Sequence, residues 1–297
     1  MKISALLTTY NRRAAVLRTI EALLAQDYPL AEITLTVLDD CGADGTAQEL
    51  SARRWEFLAR GLADLRVLRN ATNMGISYNR GLLARSAGSA EYLLYLDDDV
   101  YLEKGTVRAL LACLEAHPGC GMAGPRLVYA SDPGRTAHCA NFVGKWGGRY
   151  SELDADVETE CDWLNSSCFL VRASAAAGVR HSADFYTSHE EVDYCLQLGR
   201  AGWKLRYCPS VKALHDIQPL GGGRRDRLYY LYRNKLLVFR RNFPPLRRLT
   251  ATAVTVFLGL PLYILESLRR NRGVNLKELR LIFKAIFDGL AGRYGKR

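Results

Sequence analysis

The first hundred residues alternate between short apolar runs and amphipathic stretches. Apolar runs of strand length lie at 2–9, 33–38, 65–68 and 92–96. Between them apolar side chains recur at helical spacing, most clearly from Arg13 to Gln26. Strands that alternate with helices form parallel sheets, whose ligands gather at the carboxyl ends of the strands. The pattern therefore predicts a doubly wound, mostly parallel α/β sheet.

The pattern becomes less regular between residues 118 and 187. This segment is rich in Gly, Pro and Ser and has strand-like pieces near 121–129 and 163–172. We expect a mixed extension of the sheet and acceptor-binding loops there. A helix is predicted from Glu190 to Ala201, where Gly202 ends it.

Beyond Gly221-Gly222-Gly223 the pattern predicts helices that Phe243-Pro244-Pro245 and Asn271-Arg272-Gly273 interrupt. The segment from Leu249 to Leu265 has 17 residues without a charge, and Pro261 interrupts it. About 20 apolar residues are needed to span a bilayer, so we expect an interfacial or re-entrant hairpin rather than a span. The alternative is a plain helical subdomain packed on the rest of the protein.

Charge separates the chain into two unequal parts. Residues 224–297 contain 18 Lys and Arg against 4 Asp and Glu, whereas residues 1–223 carry a net charge of −4. Basic charge alone would fit nucleic acid or anionic lipid. Here it is interleaved with long apolar stretches, which favours a membrane interface. We therefore expect residues 221–297 to hold the protein peripherally at the cytoplasmic face of the cell membrane, with no nucleic-acid partner.

Two further features fit a cytoplasmic location. The eight cysteines contain no CxxC pair, so we expect reduced, mostly buried thiols rather than a zinc or disulfide framework. The apolar run at the N-terminus is too short for a signal peptide and has no small-residue cleavage site. We interpret it as a buried first strand.

Acidic residues follow two of the predicted strands. Asp97-Asp98-Asp99 comes directly after the fourth, and three adjacent carboxylates are best tolerated where a cation binds. Mg²⁺ and Mn²⁺ take oxygen ligands and leave positions open for phosphate. Asp39-Asp40 ends the second strand, where a carboxylate could accept hydrogen bonds from a base or a ribose. The alternatives are a solvated acidic turn and an ordinary capping aspartate.

Three more sites have plausible chemistry. Gly75 lets the backbone approach a ligand at a helix N-terminus that favours anions, and Arg80 could reach phosphate or lie on the surface. Ser188 to Tyr194 heads a helix, where a carboxylate could be a general base or merely complement the helix dipole. His215 could complete a Mn²⁺ site or be structural.

Five motifs in this order resemble glycosyltransferase family 2, whose fold is called GT-A. They are Thr8-Thr9-Tyr10-Asn11-Arg12, Asp39 to Thr46, Asn73 to Gly81, Asp97-Asp98-Asp99 and Glu190-Glu191-Val192-Asp193, within residues 1–216. The compact size of the chain and its Tyr- and Arg-rich segment after His215 resemble those of bacterial rhamnosyl- and galactofuranosyltransferases of polysaccharide synthesis.

The resemblance implies a metal-dependent, inverting transfer from a UDP- or dTDP-sugar to a glycan or lipid-linked acceptor. The catalytic domain would be residues 1–220, with a nucleotide-sugar half of about 1–100 and an acceptor half of about 101–220. Asp99 and His215 would bind Mn²⁺ or Mg²⁺, and Glu191 would be the base. The implied substrate-binding residues are Thr8, Thr9, Asn11, Arg12, Asp39, Asp40, Asn73, Gly75, Asn79, Arg80, Asp97, Asp98, Trp163 and Glu190.

The chain departs from the family pattern at two points. The family usually has Asp where Glu191 stands, so Glu190 competes for the role of base. Cys41-Gly42-Ala43 replaces the usual residues after Asp40, which leaves the nucleotide base open. Three alternatives stay open: a nucleotide-fold protein that binds nucleic acid through its basic region, a nucleotidyltransferase, and a catalytically inactive family member. The glycine-free stretch Thr8 to Arg13 disfavours the second.

Overall fold

The computed structural model describes residues 1–217, 224–271 and 275–297. Its strands are β1 (Ile3–Thr9), β2 (Ile33–Asp39), β3 (Asp64–Arg69), β4 (Tyr92–Asp97), β5 (Val100–Leu102), β6 (Cys120–Tyr129), β7 (Asp132–His138), β8 (Ala140–Val143), β9 (Tyr150–Leu153), β10 (Thr159–Cys161), β11 (Cys168–Arg172) and β12 (Lys204–His215). Its α-helices are α1 (Arg13–Leu24), α2 (Thr46–Ala52), α3 (Arg54–Ala59), α4 (Ile76–Ser86), α5 (Thr106–Ala116), α6 (Ala173–Ala176), α7 (Glu190–Arg200), α8 (Arg224–Asn242), α9 (Pro245–Val254), α10 (Leu260–Asn271) and α11 (Leu276–Leu290).

One large sheet organises the chain, in the order β10-β12-β6-β11-β4-β1-β2-β3. The strands β3, β2, β1 and β4 are parallel, as the alternating pattern predicted. The second half is mixed, because β11 runs antiparallel to both β4 and β6. The parallel register sets Thr9 beside Asp39 and Thr8 beside Asp97, so these strand ends meet at one edge.

Each face of the sheet has its own apolar core, because alternate residues of a strand point to opposite faces. In β1, Ile3, Ala5 and Leu7 pack under α1, α2, α3 and α5. Leu6 lies on the other face, in a core to which α4, α6, α7 and α8 contribute. The face of the sheet on which Leu6 lies is therefore also the face that carries the C-terminal helices.

The C-terminal helices pack against the same core as α7. Phe239 and Ala251 are buried in it together with Ile282 and Ile286. The C-terminal helices, which the sequence predicted as a separate region from residue 221, thus share one core with the rest of the described molecule. The predicted boundary of this region at residue 220, the Gly221-Gly222-Gly223 change of character and most of the break at 271–273 lie outside the described residues.

Pro261 does not end the helix that contains it. Residues Thr255–Gly259 form a π-helical turn, and α10 continues directly from Leu260. Proline has no N–H to donate, and π turns are one way in which a helix absorbs such a lost bond. The interruption and the hairpin expected between Leu249 and Leu265 are therefore wrong, because the helical stretch is continuous there, whereas the break at Phe243-Pro244-Pro245 is confirmed.

The middle segment matches its prediction in part. Strand β6 occupies the piece expected at 121–129, but the piece expected at 163–172 is a strand only from Cys168. The residues directly before it, Ser166 and Ser167, form a turn at the carboxyl end of β4. All eight cysteines are free, and six of them are buried.

Candidate active site

A cleft of about 950 Å³ opens at the carboxyl ends of β1, β2 and β4, between the starts of α4 and α7 and the first turns of α8. Most residues predicted for the site lie along it. They are Thr8, Thr9, Arg12, Asp40, Asn73, Gly75, Asn79, Arg80, Asp97, Asp98, Asp99, Glu190, Glu191 and His215. Predicted residues that are up to about 200 positions apart in the chain thus line a single cleft.

Three residues predicted for substrate binding do not line the cleft. The Asn11 side chain accepts a hydrogen bond from the Ala43 N–H at 2.6 Å, and that of Asp39 accepts one from Gly42 at 2.7 Å. Both therefore hold the loop after β2. Trp163 is buried in the core beneath α7 and packs edge-on against a tyrosine ring. Short polar residues next to a motif and a buried aromatic residue are often structural, and the sequence pattern does not distinguish these cases.

Asp40 shapes the turn that precedes α4. Its carboxylate accepts hydrogen bonds from the N–H groups of Met74 and Gly75 at 2.8 and 2.9 Å and from the Asn70 amide at 2.7 Å. Gly75 has a φ of 86°, and a Cβ there would lie 2.4 Å from the Tyr186 carbonyl oxygen. The position requires glycine for both reasons.

Asp99 and His215 form the most metal-like pair in the cleft. Strand β12 pairs with β5, which starts directly after Asp99, and the Asp99 Oδ1 to His215 Nε2 distance is 3.5 Å. The Arg12 guanidinium supplies positive charge there, at 2.6 Å from Asp99 Oδ2 and 3.0 Å from Asp98 Oδ1. An oxygen and an imidazole nitrogen facing one space fit a borderline or hard divalent ion.

The pKa values of the two neighbouring carboxyls, Asp98 and Asp99, shift in opposite directions. Burial raises the pKa of Asp98 to about 7, despite the opposing charge of Arg12 and the hydrogen bond from Thr9. At Asp99 the contacts with His215 and Arg12 outweigh burial, and they hold its pKa below the usual value. Asp99 is therefore the carboxylate that is ready to bind a cation at neutral pH.

Cys113, Glu158 and Cys208 form another group whose ligand atoms lie within 4.8 Å of one another. None of the three lines the cleft. Two thiols with one carboxylate would suit a softer metal than the ions that bind phosphate. This group therefore does not alter the assignment of the metal pair.

Arg80 connects the two acidic parts of the cleft. Its side chain is 2 % exposed and pairs with Asp97 at 2.6 Å and with Glu190 at 3.0 Å, and it also donates to the Ser166 carbonyl at 3.0 Å. The alternative that placed it on the surface is wrong. Because its guanidinium is committed to these three groups, its structural effect is to fix β4 and α7 relative to each other.

Glu190 and Glu191 adjoin at the start of α7. One oxygen of each carboxyl, Oε2, is buried with no hydrogen-bond partner in the described part of the chain. Burial and the charge of Glu190 raise the pKa of Glu191 to about 8, and burial also raises the pKa of Glu190, against the opposing charge of Arg80. Glu191 thus has one unpaired carboxyl oxygen and a raised proton affinity, which is what a general base needs.

The loop before α7 has an unusual backbone. Tyr186, Ser188 and His189 all have positive φ, from 54° to 67°. Two buried residues of α8 hold it: the Asn234 amide donates to the carbonyls of Phe185, Thr187 and Ser188 at 2.7 to 2.9 Å, and Arg233 donates to that of Asp184 at 3.1 Å. Helix α8 therefore aims the start of α7 at the cleft.

Several residues that line the cleft were not predicted from the sequence. They are Tyr10, Ile76, His138, Asn165, Ser166, Ser167, Tyr186, Thr187, Ser188, Ile217, Asp226, Arg227, Tyr230, Lys296 and Arg297. Tyr10, Ile76 and Ser188 fall inside the quoted motifs, so adjacency was an available signal. Lys296 and Arg297 reach the cleft from a different part of the fold, and the local sequence contains no signal of that.

Comparison with known proteins gives a consistent family. The family model of glycosyl transferase family 2 matches residues 4–178. Poly(ribitol-phosphate) beta-N-acetylglucosaminyltransferase TarS of Staphylococcus aureus is 29% identical over 117 residues, 39% of this chain and 19% of that protein. An N-acetylglucosaminyl-diphospho-decaprenol L-rhamnosyltransferase of Mycobacterium tuberculosis is 28% identical over 62% of this chain and 66% of its own. Galactofuranosyltransferase GlfT1 of the same species is 26% identical, covering 84% and 85%.

Two solved structures share the fold. TarS residues 1–349 in complex with UDP-GlcNAc superpose with a TM-score of 0.64 at 18% identity, over 97% of this chain and 81% of that one. The mannosyltransferase PcManGT from Pyrobaculum calidifontis, in complex with GDP-Man and Mn²⁺, gives a TM-score of 0.61 at 14% identity over 98% and 86%. At these identities the likeness establishes the fold, which is the predicted GT-A type.

Proposed function

Since the chain belongs to glycosyl transferase family 2, we propose that it transfers a sugar from a nucleotide-diphosphate donor with inversion, using Glu191 as the base. One observation carries this proposal most directly. Arg80 binds Asp97 at the predicted donor end and Glu190 at the predicted base end, so both ends belong to one rigid cleft. A single in-line displacement needs that fixed geometry between the donor and the acceptor hydroxyl.

Glu191 performs the proton transfer in this proposal. Its unpaired Oε2 accepts the proton of the acceptor hydroxyl as that oxygen attacks the anomeric carbon of the sugar. Asp193 is an unsuitable base, because its carboxylate is 1% exposed and bonded to Arg241 and Asn242. Glu190 is held by Arg80, so its part is to position α7.

Asp99 and His215 would hold the divalent ion, either Mn²⁺ or Mg²⁺. The ion would supply Lewis-acid stabilisation of the departing diphosphate. Arg12 would then share Asp99 with the ion, since its guanidinium already lies 2.6 Å from that carboxylate. Asp98 is held by the Thr9 hydroxyl at 2.8 Å and faces the ribose or the diphosphate.

The nature of the substrates is inferred from the relatives and the site together. TarS has been solved with UDP-GlcNAc, and the name of the rhamnosyltransferase specifies a diphospho-decaprenol acceptor. We assign a UDP- or dTDP-sugar as donor and a glycan or lipid-linked acceptor of cell-surface polysaccharide synthesis. Asp40 and Thr8, which both line the cleft, would line the pocket for the base and ribose of such a donor.

A membrane surface is the proposed partner of the C-terminal helices. Pro245–Leu265 is a 21-residue helical stretch with a mean hydropathy of 1.6 over its most apolar window, of which 17% is buried. Large apolar side chains of α9, α10, α11 and the π-helical turn are exposed, among them Leu246, Leu249, Phe257, Leu258, Leu262, Leu265, Leu276, Phe283 and Phe287. Apolar patches of this kind mark interaction surfaces.

We favour a peripheral position at the cytoplasmic face of the membrane over a span. One side of these helices is fastened to the sheet through Ala251, Leu260 and Ile282, so they lie against the catalytic core. Such a helix is suited to lie in the lipid interface with its apolar side chains inserted. Nucleic acid would not gain from contact with exposed Leu and Phe, which disfavours the basic region as a nucleic-acid site.

A thermal-shift panel tests the function. UDP-, dTDP- and GDP-sugars are each added with and without Mn²⁺, because a ligand that binds the folded state raises its melting temperature. We expect a metal-dependent shift with one nucleotide class, followed by release of that nucleotide on addition of acceptor. A protein that shows no shift with any of the donors would contradict the proposed function.

A further inference from the structure

The residues after α11 return to the cleft as a short segment, residues 292–297, which we call the strap. The strap is fastened at Gly295, whose N–H donates to the Asp184 carbonyl at 2.8 Å. The Gly295 carbonyl in turn accepts from the buried Arg233 at 2.6 Å. These bonds anchor the strap to α8 and to the loop before α7, so that Lys296 and Arg297 lie along the cleft.

Lys296 reaches the turn before α4. Its ammonium donates to the Asn73 carbonyl at 2.7 Å and lies 5.5 Å from the centre of the Tyr186 ring. The Tyr186 hydroxyl donates to the same residue, at Asn73 Oδ1, at 2.6 Å. Within the described residues the partners of this cation are thus neutral oxygens and a ring, and its charge is not cancelled by a carboxylate.

Arg297 lies on the α8 side of the strap. Its N–H donates to the Tyr230 hydroxyl at 2.9 Å, and its guanidinium lies over the Tyr229 ring at 5.2 Å. Asp226 is 3.7 Å away, but that carboxylate is 73% exposed and the guanidinium 44%. An exposed pair at this distance is weak, so the charge remains available to a stronger anion.

Five Lys and Arg residues of the described chain line the cleft, and apart from Arg227 they fall into two groups. Arg12 and Arg80 are bound to Asp98, Asp99, Asp97 and Glu190, and they neutralise the protein's own carboxylates. The two cations of the strap are not bound in this way. An anionic ligand that enters between the carboxylates and the strap would meet Lys296 and Arg297, and phosphate oxygens are preferred partners of both side chains.

We propose that Lys296 and Arg297 bind the diphosphate of the nucleotide donor, so that the strap forms the wall opposite Asp97-Asp98-Asp99. This inference rests on the proposed function, because it takes the ligand of the cleft to be a nucleoside diphosphate. It assigns to the strap a binding role that is absent from the family motifs, all of which lie before residue 194.

Calorimetry with UDP and Mn²⁺, or with dTDP where the donor panel selects it, tests the assignment against the matching nucleoside. The variants are Lys296→Ala, Arg297→Ala and both together. We expect the double variant to bind the diphosphate at least about tenfold more weakly, since two charge-assisted contacts are lost, and to bind the nucleoside as the wild type does. Lys296→Arg keeps the charge and should stay within about threefold of wild type.

Arg293→Ala is the matched control. Arg293 is in the same strap but pairs with Asp288 at 3.3 Å and does not line the cleft, so its loss should leave diphosphate affinity unchanged. Diphosphate affinity of the double variant within twofold of wild type would overturn the assignment. Equal losses for nucleoside and diphosphate would also overturn it, by placing the strap at the base instead. A wild-type protein that binds no nucleotide would refute the proposed function before any variant is made.

Discussion

At the scale of single residues, Arg80 shows how one buried charge organises a site. The sequence placed it among the substrate-binding residues, and the structure places it between Asp97 and Glu190. A buried cation is stable only when paired, and each carboxylate is likewise stabilised by it. The proposed donor and base ends of the cleft are consequently coupled through a single side chain.

Asp99→Ala should abolish metal-dependent donor binding. The substitution removes the carboxylate that lies 3.5 Å from His215 and leaves the imidazole as the only protein ligand of that pair. Calorimetry with the donor nucleotide in Mn²⁺ and in EDTA measures the effect. Asp27→Ala is the control, because Asp27 pairs with Arg108 at the surface. Unchanged affinity in Mn²⁺ would show that the metal assignment is wrong.

Glu191→Gln should leave donor binding intact and lower turnover by about 10²-fold or more, because an amide cannot accept the proton of the acceptor. Steady-state assays of nucleotide release, together with donor affinity from calorimetry, separate the two effects. Near-normal turnover would transfer the role of base to Glu190, since Asp193 is buried and bonded to Arg241.

The acid limb of the pH profile should report the same carboxyl. Burial and the charge of Glu190 raise the pKa of Glu191 to about 8. The base works when ionised, so kcat/KM should rise with pH and fall about tenfold per unit below the apparent pKa, which belongs to the pair of carboxyls. Profiles between pH 5.5 and 9 in saturating Mn²⁺ measure this. A wild-type profile that is flat over this range would contradict it.

At the scale of elements, α8 holds the loop that precedes α7. Asn234 is fully buried, and its amide donates to three carbonyl groups of a loop with positive φ at Tyr186, Ser188 and His189. Left-handed backbone at residues other than glycine is costly and persists only where the surroundings fix it. The orientation of α7 therefore depends on a helix that lies outside the motifs.

Asn234→Ala should lower kcat more than it raises KM. Loss of the buried amide leaves three carbonyls with one partner fewer and costs about 1–3 kcal/mol of stability. Urea unfolding and steady-state kinetics measure the two effects. Asn275→Ala is matched in stability, because it removes the N-cap of α11 at about 0.5–2 kcal/mol, yet it should leave kcat unchanged. Equal effects of both variants on kcat would show that Asn234 contributes only to the general stability of the fold.

Elements with strong local signals were predictable. The alternation of apolar runs and helical spacing predicted β1 to β4 and the helices between them, since each depends on residues that are near in sequence. The strand ends then predicted where Asp97 to Asp99 would gather. Other features depend on contacts between distant segments. They are the ion pairs of Arg80, the hydrogen bonds from Asn234 to the loop before α7, and the position of Lys296 along the cleft. No spacing rule encodes such contacts, and the sequence therefore missed them.

At the scale of the whole molecule, the exposed apolar side chains gather on the C-terminal helices. Phe257→Asp combined with Leu262→Asp should weaken sedimentation with anionic vesicles by tenfold or more, because each large apolar side chain contributes about 1.5–3 kcal/mol when fully buried. Trp55→Asp is the control: Trp55 and Phe257 are both 74% exposed, but Trp55 lies on α3 over the other face of the sheet. Equal losses in both variants, or none, would contradict the membrane assignment.

The shared core of α7 and the C-terminal helices also has a consequence for the inheritance of this fold. Arg233 and Asn234 connect α8 to the loop before α7, and Phe239 is buried in the core that α7 and α8 share. A lineage that exchanged the C-terminal helices, the proposed membrane-binding end, for those of a relative would also exchange the support of the loop before α7. The two ends should therefore co-evolve as one unit, and chimaeras joined near residue 220 should recover activity only when the loop at 184–189 is exchanged together with α8.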